Sequence, residues 1–227
     1  MSRILCQFSC GAASAVATKL ALAQYGDRCV IVNAFIQEEH ADNRRFADDC
    51  EKWFAQPMVN LRDTKYDASA VKVFERAGYI KGPQGASCTS RIKRGLLREF
   101  EQPEDILVLG YTAEEQHRLD DWLDAWPDRP IITPLIERGL TKEDCKAMIM
   151  RAGIELPYMY RLGYDNANCI GCVKGGLGYW RAIREDFPEQ FERRGPGRGQ
   201  GARPPRRQRP DPAPPIRPAQ GSAIPPT

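Results

Sequence analysis

The chain reads as an α/β protein built on a parallel, doubly wound sheet with helices on both faces. Three features predict this. Short apolar runs alternate with segments of helical periodicity. "CVIVNAFI" is apolar without a break, as a strand buried on both faces must be. A small-residue turn, "SCGAAS", joins the first apolar run directly to the first helix. Parallel strands need long crossovers, and the intervening helices supply them.

Each element follows from its own pattern. "RILCQFS" is a short apolar run stopped by the turn, and "ASAVATKLALAQYG" has helical spacing with a glycine stop at Gly26. "CVIVNAFI" is the second strand. In "HADNRRFADDCEKWFA" the residues Phe46, Cys50, Trp53 and Phe54 fall near one helical face. "MVNLRDT" predicts a strand, "DASAVKVFERAGYI" a helix and "TSRIKRGLLREFEQ" another. "DILVLGYT" and "PIITPLI" predict two further strands, the second shorter. "TKEDCKAMIMRAGI" predicts a helix opened by Thr141, with acids in its first turn.

Composition divides the chain at Gly195. Residues 195–227 hold ten of the 18 prolines, no lysine and no aromatic residue, so they bury too little apolar surface to offset the entropy of ordering. A disordered tail is expected there, a plain linker or a contact for RNA, DNA or an acidic partner. Six of the 33 basic residues and one of the 30 acidic ones lie in it, leaving 27 against 29 in residues 1–194. The folded part therefore carries no global excess of positive charge to suggest nucleic acid. No apolar run reaches the length of a membrane span and no signal segment opens the chain, so no membrane partner and a cytoplasmic location are expected. There, eight cysteines are thiols or metal ligands rather than disulfides.

In open parallel sheets, ligands bind at the carboxyl ends of the strands, near the point where strand order reverses. Residues Ser9, Cys10, Gly11, Ala12, Ala13 and Ser14 lie at such an end. Their backbone N–H groups and the positive end of the helix dipole converge on one spot, and small side chains let a phosphate approach. A tight structural turn favours the same residues. Asn33, ending the second strand, is placed either to read an adenosine or only to terminate the strand.

Cys169 and Cys172 form a C-x-x-C around Ile170 and Gly171, a spacing that lets two thiolates reach one metal from a tight turn. A dithiol redox pair has the same spacing, but a thioredoxin-like pattern is missing. Cys88, on the small-residue loop "QGASCTS", is the best third ligand. Three thiolates suit a 4Fe–4S cluster with one open iron, or a zinc ion with a fourth ligand such as His40 or His117. Cys6, Cys29, Cys50 and Cys145 fall in strands and helices and are expected in the core. "VKGGLGYW" after the C-x-x-C reads as a flexible loop.

Four segments in order resemble one family. "SCGAAS" is similar to the PP-loop "SGGxDS" of ATP pyrophosphatases and of the phosphoadenosine phosphosulfate (PAPS) reductase family, with Cys10 for the first glycine and Ala13 for the acid. "GASCTSRIKR" resembles the family's cysteine and R-x-K, with Cys88, Arg91 and Lys93 in the matching places. "VLGYTAEEQHRLDD" is similar to its strand, loop and E-x-x-x-R, with Gly110, Glu114 and Arg118. "LPYMYRLGYDNANCIGC" resembles its final segment, with Tyr160, Gly163, Cys169, Gly171 and Cys172.

The resemblance implies a PP-loop fold that binds ATP or a related adenine nucleotide, with Gly110 beside it and Lys93 or Arg118 on the phosphates. It implies cleavage of ATP to AMP and pyrophosphate to activate a substrate, followed by sulfur transfer to a nucleic acid or nucleotide. Mg2+ accompanies ATP, although the loop has no acid to hold it. The family's sulfonucleotide reductases are an alternative, but they attack with a C-terminal cysteine and the last one here is Cys172. The other alternative is a non-catalytic nucleotide-binding subunit of a nucleic-acid modification complex. As plain structural residues, Lys93 is a solvated cation and Arg118 pairs with Glu114 or Asp121.

Overall fold

The computed structural model describes residues 2–194 except Gln84; the proline- and arginine-rich stretch 195–227 lies outside the described residues. Strand β1 (Ile4–Gln7) leads through the small-residue turn into α1 (Ala12–Tyr25), and Gly26, at φ 56°, ends that helix. A 3-10 turn precedes β2 (Cys29–Ala34), followed by α2 (Asp42–Phe54), β3 (Met58–Leu61) and α3 (Ala70–Ala77). The short strands β4 (Lys81–Gly82) and β5 (Gly85–Ala86) form an antiparallel pair. A π-helical turn over Thr89–Arg94 runs into α4 (Gly95–Phe100). Then come β6 (Ile106–Val108), α5 (Gln116–Ala125), β7 (Ile131–Ile132), α6 (Pro134–Glu137) and α7 (Lys142–Arg151). The last described elements are α8 (Tyr158–Arg161), α9 (Leu177–Asp186) and α10 (Pro188–Arg194).

Five parallel strands form the main sheet in the order β3-β2-β1-β6-β7. The chain runs outward from β1 through β3 and then returns to the other side of β1. Strand order therefore reverses between β1 and β6, and the carboxyl ends of those two strands flank the crevice where ligands of such sheets bind.

Alternation along β1 divides the core. Ile4 and Cys6 face a layer containing Val16, Phe46, Leu135 and Ile149, contributed by α1, α2, α6 and α7. Leu5 faces the opposite layer with Val32 and Leu107, where Leu97, Phe100 and Trp122 of α4 and α5 pack. Both faces are covered, which is why the central strands carry no polar alternation. Cys6, Cys29, Cys50 and Cys145 are all buried, as expected from their elements.

Three elements depart from the sequence pattern. The strand expected over "PIITPLI" is only Ile131–Ile132, because Pro134 opens a helix at a position where its missing N–H is harmless. The segment after β6 is a helix rather than a loop. Thr112 and Glu115 form a reciprocal capping box at its start, a T-x-x-E signal present in the sequence. Of "VKGGLGYW", residues 173–176 are turn and loop as expected, but Leu177 to Trp180 begin α9. Tyr179, Trp180 and Ile183 pack with Met159, Tyr164, Ile170 and Phe187 in a small core of their own.

Candidate functional site

The turn between β1 and α1 is held by its own serines. The Ser9 N–H and hydroxyl both donate to Ser14 Oγ, at 3.1 Å each, and the Ser14 hydroxyl donates to the Gly11 carbonyl at 2.9 Å. Cys10 has φ 55°, a left-handed conformation that costs a non-glycine residue about 1–2 kcal/mol. It stands where the PP-loop pattern has glycine. Gly11 caps α1 through its backbone and has no side chain to bond the helix start, and no acid lies in the first turn. Ser9, Gly11, Ala13 and Ser14 line the cleft above, whereas Cys10 and Ala12 are fully buried and bring only their backbone to the turn.

Asn33 lies beneath the turn rather than in the cleft. Its Nδ2 donates to the Phe8 carbonyl at 2.8 Å, and its Oδ1 accepts from Arg44 at 3.2 Å. Arg44 also donates to Cys10 Sγ at 3.3 Å. The amide is thus engaged in holding the loop. Burial, with the Glu39 charge adding to it, pushes the Cys10 thiol up to about 12, so the group is a neutral thiol at ordinary pH.

Lys93 reaches the cleft from the π-helical turn, and its Nζ donates to Glu39 Oε1 at 3.0 Å. Burial opposes its charge, but Glu39 outweighs that and the net shift is upward, so the ammonium is kept protonated. The Glu39 carboxylate is itself buried and accepts from Asn43 at 3.3 Å, with Arg44 at 3.9 Å. Lys93 is consequently a cation held by an ion pair, with its side chain 36% exposed to the cleft.

Across the crevice, Gly110 follows β6 and presses on the helix start: a Cβ there would stand 3.1 Å from Ser14 Cα. Arg118 also lines the cleft, with its guanidinium 4.3 Å from the Tyr111 ring centre, and it pairs with Glu115 rather than with Glu114 or Asp121. Glu114 instead accepts the Lys142 N–H and caps α7. The whole cleft measures about 640 Å³, within the range of small-molecule sites.

Burial first, and then the nearby Cys172, push the Cys88 thiol up and so suppress its ionisation, and Cys88 and Cys169 share an apolar cluster with Ile36 and Ile92. The Cys172 N–H donates to the Cys169 carbonyl at 3.0 Å, Gly171 takes φ 74°, and Ile170 N–H ties the turn to the Glu38 carbonyl at 2.9 Å. Burial pushes the Cys169 thiol up to about 12, although Lys93 pulls it down. The donor chemistry suits a thiophilic metal, but the placement does not enclose one. Among the described residues no group of three or more His, Cys, Asp or Glu side chains is placed to hold an ion. His40 Nδ1 accepts the Asp42 N–H at 3.1 Å and its ring stacks on Tyr158, while His117 is exposed on α5.

Glu39 and Arg44 are the site residues that pattern reading missed, and Tyr160, aligned by the resemblance, was given no role there. Glu39 had a signal, the polar "QEEH" run just beyond the carboxyl end of β2. The Tyr160 hydroxyl accepts the Ala12 N–H at 3.4 Å, a contact between residues 148 positions apart that no local pattern predicts. Among the described residues, no helix is long and apolar enough to cross a membrane. No protein-family model matches this chain, and no curated protein matches it in sequence.

Proposed function

We propose that the chain binds ATP or a related adenine nucleotide across the β1–β6 crevice and cleaves it to AMP and pyrophosphate, activating an acceptor for group transfer, with sulfur as the transferred atom. The observation that carries this reading is the contact of Gly110 with Ser14. It brings the ends of both switch-point strands to one helix start, with Lys93 and Arg118 on the same cleft. Backbone N–H groups of residues 11–14 bind the phosphate oxygens, and Tyr160 yields the Ala12 N–H when they arrive. Lys93 and Arg118 stabilise the charge that develops on the leaving pyrophosphate. Mg2+ accompanies the nucleotide; no residue is assigned to it.

Two thiols, the buried Cys10 and the half-buried Cys169, argue against sulfonucleotide reduction. Thiolate is the attacking form, and burial pushes both Cys10 and Cys169 up to about 12. Cys88, Cys169 and Cys172 are the residues that a 4Fe–4S cluster or a zinc ion would use, once the 169–172 turn closed on Cys88; either would supply thiolate-bound metal beside the cleft. Anaerobic purification tests this. Iron with a band near roughly 400 nm that is lost in Cys169→Ser supports a cluster, and colourless, metal-free protein removes it.

Pyrophosphate release from ATP, measured with and without nucleic acid, tests the main reading. Turnover supports it. Nucleotide binding without turnover leaves a non-catalytic nucleotide-binding subunit of a modification complex instead.

A further inference from the structure

Beyond the phosphate cradle the cleft continues between α4 and α5, and its walls change character there. Three rings each carry a guanidinium. Arg118 lies 4.3 Å from the Tyr111 ring centre, Arg98 5.6 Å from Trp126 and Arg129 6.0 Å from Trp122. All six residues line this one cleft.

Charge is concentrated in the same place. The lining holds seven lysines and arginines against three carboxylates, although residues 1–194 as a whole are slightly acidic. Two of those carboxylates, Glu101 and Glu115, are already paired with Arg129 and Arg118. Arg94 and Arg98 make no ion pair among the described residues. Trp126 is 44% exposed, which leaves indole surface open beside the Arg98 stack. The buried indole N–H of Trp122 has no acceptor among the described residues, an unmet donor in the wall of an open cleft.

We infer that this outer cleft binds an unpaired stretch of polynucleotide. Aromatic platforms beside cations are what single strands require: bases stack on the rings and phosphates meet the guanidiniums. Trp126 is the stacking platform, and Arg94 and Arg98 take the backbone phosphates. An acidic peptide would satisfy the cations but leave the indole faces unused. A duplex presents its bases already stacked and offers nothing to Trp126. The inference rests on the nucleotide reading of the inner cleft, because it makes the bound strand the acceptor of the activated group. Its binding test is nonetheless separate.

The test is fluorescence anisotropy on the full chain with end-labelled single-stranded RNA and DNA of about 12 nucleotides, a duplex control, and a non-hydrolysable ATP analogue titrated in parallel. Trp126→Ala and Arg98→Ala are each expected to weaken single-strand binding about tenfold and to leave the ATP-analogue affinity unchanged. Trp126→Phe should keep most of the affinity, and the duplex should bind less tightly. Circular dichroism establishes that the variants fold. The RNA and DNA arms show which backbone is preferred. Unchanged oligonucleotide affinity in both alanine variants would overturn the proposal, assigning binding to another part of the chain such as the arginines of 195–227. Nucleotide binding with no oligonucleotide binding overturns it alone. Oligonucleotide binding without ATP binding leaves it standing and removes the reading of the inner cleft.

Discussion

Gly110 meets the backbone of Ser14 so closely that a side chain there would stand 3.1 Å from the Ser14 Cα and 3.2 Å from its nitrogen. This contact joins the two strands at which the sheet reverses. The neighbour is helix backbone, which cannot rotate aside as a flexible side chain can. Gly110→Ala should therefore push the β6 end away from the cradle. We expect ATP-analogue affinity to fall about tenfold by calorimetry, with a stability loss of about 1–3 kcal/mol.

Lys93 is expected to matter both to folding and to chemistry. Lys93→Met leaves the buried Glu39 carboxylate without its 3.0 Å partner, although Arg44 at 3.9 Å compensates in part. Since Lys93 is partly solvated, the expected loss is about 1–2 kcal/mol in urea unfolding, at the low end for a broken ion pair. Pyrophosphate release should fall at least about a hundredfold. Lys93→Arg should restore the stability more fully than the turnover, because the guanidinium keeps the charge but not the geometry.

Acid should weaken the protein through His40. Burial pushes this imidazole below its ordinary value of 6.5, Arg161 adds to the effect, and Asp42 opposes it. The unfolded chain then binds more protons than the folded one as the pH falls below 6.5. The stability contributed by neutral His40 is complete above that pH and is lost toward the lowered folded value. Denaturant midpoints measured from pH 7.5 down to about 5 should drop, and His40→Gln should flatten the slope. Asp42, itself held below the usual carboxylate range, stays ionised across this window.

Thiol accessibility should split the cysteines into two classes. Cys88, Cys169 and Cys172 are half-buried, whereas the other five are buried. Under native conditions a thiol reagent should modify only those three on the time scale of minutes, and peptide mapping identifies them. Labelling of Cys6 or Cys50 at the same rate would contradict the fold described.

The sheet was legible because burial on both faces writes itself into β1, β2 and β6 as unbroken apolar runs. The turn from β1 to α1 was legible because small residues let the backbone pass directly from the strand into the helix. The place of Asn33 at the end of its strand was legible, but only the approach of Arg44 and Phe8 shows what its amide holds. Helix α5 was missed despite the Thr112–Glu115 box, because its exposed, charged sequence has little apolar face. The roles of Tyr160 and Glu39 arise from contacts across the chain, with Ala12 and Lys93, which neither the resemblance nor the polar run could supply. The "GGLGYW" segment looked like a loop because glycines precede the aromatic residues that build the small C-terminal core.

The most direct test of the central claim is the identity of the products formed from ATP. With magnesium and a candidate acceptor present, AMP and pyrophosphate should appear in equal amounts, and Lys93→Met should lose both together. Formation of ADP and phosphate, or no product at nucleotide concentrations that saturate the protein, would contradict it.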